Sequence, residues 1–136
     1  MNPLMKDSAM IPNFLVPEQV VREDGNGPVF DLGSERVSAL ALTFGITSVV
    51  EQESIDLAVY GSADGETFGP KPIAAFPQKF YCGTYSLYVD LSGCPDVRYI
   101  RAGWKMNRWG RGEPTPLFSL YVFAEPAAAN VMVAAG

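Results

Sequence analysis

Histidine is absent from this 136-residue chain, which removes serine–histidine and cysteine–histidine nucleophiles and histidine-ligated metals together. Charge is scarce as well, at 18% of residues against 48% apolar, which is the composition of a globular domain rather than a disordered one. No apolar run is long enough to cross a bilayer as a helix, so no membrane partner is expected. Lys6, Asp7 and the prolines at Pro3, Pro12 and Pro17 interrupt the first residues, where a signal peptide would need an unbroken apolar core. The expectation is synthesis in a reducing cytosol, with lysis or a specialised route as the way to a virion or particle surface.

Only two cysteines are present, Cys82 and Cys94. They flank a strand-like run, residues 84–91, whose ends would lie about 20 Å apart at roughly 3.3 Å per residue. A disulfide needs Cα atoms within about 7 Å, so both are expected as free thiols. The net charge of −5 argues against nucleic acid as a partner of the whole surface. Its distribution is uneven: Arg98, Arg101, Lys105, Arg108 and Arg111 fall in one segment without an acid, while most carboxylates precede Asp64.

What the chain has in abundance is alternation. Ile55, Leu57 and Val59 share a face, as do Tyr85, Leu87, Val89 and Leu91, then Ile100, Ala102 and Trp104, then Phe118, Leu120 and Val122. That period of two marks strands with one face buried. Val37 to Val50 repeats it, with Leu40, Leu42, Phe44 and Ile46 opposite the small set Ala39, Ala41, Thr43 and Gly45, which would let another layer approach closely. Counting about eight short strands between turn signals predicts an all-β, antiparallel sandwich of jelly-roll type.

Residues 1–17 read as an extended N-terminal arm, 18–125 as the sandwich and 126–136 as a C-terminal tail. The arm is apolar, with Phe14 and Leu15 among its bulky residues, and must lie against its own domain or a neighbouring subunit. Glu18 to Arg22, the turn signal Asp24-Gly25-Asn26-Gly27, and Pro28 to Leu32 predict a hairpin. Gly69 to Phe76 reads as an edge strand or extended loop, and Met106 to Pro116 as the longest loop between confident strands, where function usually sits. Tyr60, Tyr88, Tyr99, Tyr121 and Phe123 point away from the buried face and form an apolar surface that needs covering.

The run LAVYGSADGETF (57–68), followed by YSLYVDLS (85–92) and VRYIRAGW (97–104), resembles discoidin-like, or galactose-binding-like, β-sandwich domains. In these a strand ending in a Ser-x-Asp-Gly-x-x-aromatic turn precedes a strand ending in an Arg-Tyr-Ile-Arg-type run. The resemblance spans residues 55–123 and implies a noncatalytic module that binds glycans, lipids or proteins through loops at one end; similar jelly rolls are structural parts of viral particles and appendages. The chain departs from the family in lacking paired terminal cysteines.

Candidate chemistry is sparse. Glu51, Glu53 and Asp56 lie close in sequence but read as a solvated connection between strands, with nothing apolar around them to raise a pKa. Asp64 and Glu66 could offer oxygens to calcium, yet two carboxylates fall short of its usual shell of about six to eight, and Asp64-Gly65 reads as turn chemistry. No cofactor is expected, nor an enzyme. The segment Trp104 to Arg111 stands out, since arginine and tryptophan together anchor interfaces or stack on sugars.

The expected function is thus a structural or interaction module that self-associates or decorates a larger protein assembly, such as a phage or virus-like particle. Contacts would come from Trp109, Arg108, Arg111, Arg101 and Lys105, with Tyr81, Phe14 and Leu15. The alternative is a carbohydrate-binding module using Trp109, Tyr81 and Arg108 at one end of the sandwich.

Overall fold

The computed structural model describes residues 9–33, 37–50, 52–109 and 116–127. Among them there is no helix. The strands are β1 (Ala9–Met10), β2 (Asn13–Val21), β3 (Gly25–Asn26), β4 (Phe30–Asp31), β5 (Ala39–Val49), β6 (Glu53–Ser62), β7 (Ala74–Ala75), β8 (Gly83–Asp90), β9 (Tyr99–Arg108) and β10 (Phe118–Pro126). Four form one sheet in the order β2-β10-β5-β8. The others form a second, β1-β4-β9-β6-β7, with β3 also beside β9. All pairings are antiparallel except that of β1 with β4.

The alternation explains why these segments are strands. Leu40, Leu42, Phe44 and Ile46 of β5 are all buried, as are Phe118, Leu120 and Val122 of β10 beside them in the same sheet, and together they share one core with Ile55, Leu57 and Val59 of β6 and Ile100 and Ala102 of β9 from the other sheet. Each large side chain sealed there contributes about 1.5–3 kcal/mol, so the two apolar faces hold the layers together. The small outer face of β5 does admit a close neighbour. It is the Tyr121 ring of β10, which lies directly over Gly45 where any Cβ would sit.

Several boundaries differ from the sequence reading. β2 begins at Asn13, inside the segment read as an arm, because Leu15 and Val16 are core residues and Pro17 is tolerated on an edge strand, where one side needs no donor. The hairpin expected around Asp24 to Gly27 does not form: β2 pairs with β10 in one sheet, while β3 and β4 pair with β9 in the other. The turn residues carry the chain from one layer to the next instead. β9 continues to Arg108, inside the segment read as a loop from Met106, and residues 110–115 of that segment lie outside the described residues. Trp104 is half-buried, packed against the core while its Nε1–H donates to the Glu23 carbonyl at 2.9 Å.

Other expectations match. β7 is a stub at the edge beside β6, within the segment read as edge strand or loop. The outer aromatics are half-buried, and Phe14 of β2 stacks edge-on against Phe123 and Tyr121 with centroids 4.9 and 6.0 Å away. The chain's own first segment thus covers part of that face. Neither Cys82 nor Cys94 forms a disulfide.

Candidate interaction site

β6 and β9 lie antiparallel from Glu53 opposite Arg108 to Ser62 opposite Tyr99, and so define two ends of the sandwich. At the Glu53 end, β5 turns into β6 through Gln52, whose φ of 62° is in the left-handed region that side-chain-bearing residues seldom occupy. Glu53 is 1% exposed. Its Oε2 accepts the Val50 N–H at 2.9 Å and its Oε1 accepts the Leu117 N–H at 2.8 Å, which ties the β5–β6 turn to the chain entering β10. The Gln52 carbonyl accepts the Trp109 N–H at 3.0 Å. A carboxylate read from sequence as solvated is therefore a buried brace, since the donors that satisfy it arrive from positions 3 and 64 residues away. Asp56 is exposed, as expected, and Glu51 lies outside the described residues.

The brace presents aromatic rings. Trp109 is 53% exposed, Tyr81 75% and Phe80 39%, with Phe80 at 6.2 Å from Trp109 and 6.2 Å from Tyr81 between ring centroids. The segment bearing Phe80 and Tyr81 is itself fixed. Lys79 exchanges backbone hydrogen bonds of 2.9 and 3.0 Å with Ile55, and the Tyr81 carbonyl accepts the Tyr85 hydroxyl at 2.8 Å. The three rings border a hollow of about 330 Å³ with Val49, Val50, Gln52 and Glu53.

The sequence-predicted residues do not gather in one place. Trp109 and Tyr81 meet at this end, and Arg108 closes β9 there opposite Glu53. Arg101 and Lys105 instead line a groove of about 470 Å³ on the second sheet with Tyr60 and Phe68. There the Arg101 guanidinium sits 4.3 Å from the Phe68 ring centroid, and no acceptor among the described residues reaches its Nε. Arg98 is committed to Asp31 at 3.1 Å. Alternation along β9 puts Arg101 and Lys105 on one face and Arg108 on the other, and Arg98 precedes the strand, so the basic segment does not form one patch. Phe14 is 43% exposed on the other sheet, near the start of β2, whereas Leu15 is 0% exposed and belongs to the core, not to an interface. Arg111 lies outside the described residues. Phe80 was missed as a site residue although the Phe80-Tyr81 pair carries a signal: adjacent large rings on an extended segment cannot both face the core.

At the opposite end, Asp64 Oδ1 accepts from the Ser62 hydroxyl at 2.8 Å and from the Glu66 and Thr67 N–H groups at 2.8 and 2.9 Å. These bonds, the two backbone donors first, lower its pKa to about 2. Gly65 turns with φ 82°, against the Tyr99 ring. Asp31 is also lowered, chiefly by its bonds with Arg98. No group of three or more His, Cys, Asp or Glu side chains comes together among the described residues. The chain matches no family model and no curated protein.

Proposed function

We propose that this chain is a noncatalytic interaction module that enters a larger protein assembly, as a phage or virus-like particle component would, through the aromatic end formed by Phe80, Tyr81 and Trp109. The observation that carries the reading is that three large rings are left exposed on a rigidly braced end. Exposed aromatic clusters are costly in water and are typical anchors of protein interfaces. Arg108 beside them and the acidic balance of the rest of the chain supply opposite charges for orienting contacts between copies.

The test is the mass distribution in solution across a concentration series. Wild type is expected to form species larger than a dimer, and the paired change Tyr81→Ser with Trp109→Ser to remove them. An unchanged distribution in the folded variant contradicts the reading. The hollow between Trp109 and Tyr81 supports a second reading, saccharide binding at the same end, since sugar sites pair a ring with polar groups. Glycan-array binding that Trp109→Ala abolishes would select it over protein docking.

A further inference from the structure

A β-sandwich with open sheets has edges, and each edge strand offers unpaired backbone groups to any chain that can lie beside it. Here three of the four edges are guarded. β1 and β7, which end the larger sheet, are stubs of 2 residues each. β2 carries Pro17 and Glu18 and is irregular in register against β10 between Leu120 and Val122 and again between Val122 and Phe123. β8 has none of these devices. It runs for 8 residues without proline, lysine or arginine, and its pairing with β5 is continuous from Asp90 to Gly83.

The direction of its free groups follows from the ladder. The Leu91 N–H donates to the Ser38 carbonyl at 2.9 Å, which places Leu91 opposite Ser38 in a bonded pair. Bonded pairs alternate in antiparallel sheets, so Val89, Leu87 and Tyr85 turn their backbone groups toward β5. Thr84, Ser86, Tyr88 and Asp90 turn theirs outward, and no backbone hydrogen bond from another described residue meets them.

We infer that β8 pairs with β8 of a second copy of this chain, antiparallel about a two-fold axis at Leu87. The edge is its own complement. In that register Ser86 faces Tyr88, Tyr85 faces Val89 and Thr84 faces Asp90, so an aromatic–β-branched pair forms and no two like charges meet. Leu87, half-buried in the single chain, meets its own copy and is covered. The four-stranded sheet becomes one continuous sheet across the dimer. This pairing does not depend on what the aromatic end meets.

The test uses the outward position of Ser86. Ser86→Pro removes a donor that serves only the second copy, and leaves the β5 ladder whole. Wild type is expected to dimerise with concentration. Ser86→Pro is expected to stay folded and monomeric, and Ser86→Lys to weaken the dimer by at least about tenfold. Hydrogen exchange at the Ser86 and Tyr88 amides should slow as wild type is concentrated, with Ser86→Lys showing no such slowing. The Tyr81→Ser, Trp109→Ser protein should keep the dimer while losing larger species, which separates this interface from the aromatic end. A wild-type monomer at all concentrations overturns the inference, as does a dimer that persists in folded Ser86→Pro and in Ser86→Lys.

Discussion

The two ends of the sandwich use the same kinds of residue to opposite effect. At the Ser62 end, a carboxylate caps a turn and glycine occupies the left-handed position, with Tyr99 folded over it. Every part there satisfies another part. At the Glu53 end a carboxylate also accepts backbone donors, but it is buried, a glutamine holds the left-handed position, and the aromatic rings turn outward. One end is finished within the chain, while the other carries backbone strain and exposed apolar surface. Strain and exposure together are the features on which the proposed docking role of that end rests.

The sharpest way to break the comparison is to remove the brace. Glu53→Ala leaves the Val50 and Leu117 donors without their acceptor in a buried site, and is expected to cost about 2–4 kcal/mol, read as a lower midpoint in urea. A loss within about 0.5 kcal/mol would mean that Glu53 does not hold that end together. Gly65→Ala, at the finished end, is expected to cost about 1–2 kcal/mol from its positive φ and its contact with Tyr99. Gln52→Gly should act in the reverse direction, stabilising by about 0.5–1 kcal/mol, since glycine adopts that φ without strain. If both glycine exchanges shift stability the same way, the contrast between the ends fails.

Acid should act on the finished end. Asp64 and Asp31 have folded pKa values below the unfolded value near 3.8, so their contribution is fully present above that pH and is lost as pH falls through the folded values. Carbon-13 titration of the Asp64 carboxyl is expected to give a midpoint at about 2. A midpoint at the ordinary aspartate value would show that the cap is not formed. The smallest expected effect is that of Trp109→Ser on stability, within about 0.5 kcal/mol, because the ring packs mainly on Phe80 at the surface. A large loss would place Trp109 in the fold and not in an interface.

Strand identity was legible because burial in a sheet imposes a period of two, and Leu40 to Ile46 or Phe118 to Val122 can satisfy it in only one way. Layer assignment was not legible. Asp24-Gly25-Asn26-Gly27 announces a change of direction, but the same residues serve a hairpin or a passage between sheets, and only the distant partners β9 and β10 decide. The candidate end was half legible: Trp109 and Tyr81 stood out by type, while Glu53 did not, because its burial depends on Leu117 and not on its sequence neighbours. The basic segment misled for the converse reason. Closeness in sequence reads as a patch, whereas Arg98, just before β9, is in an ion pair and β9 divides Arg101, Lys105 and Arg108 between a groove and an end.

The proposed interface makes Trp109 a contact residue and leaves Trp104 a structural one. Fluorine NMR of the protein labelled with fluorotryptophan reads both in the same sample. As the chain assembles, the Trp109 signal should shift and lose its solvent isotope effect while the Trp104 signal stays fixed. Assembled species in which Trp109 remains as open to solvent as in the single chain would contradict the account.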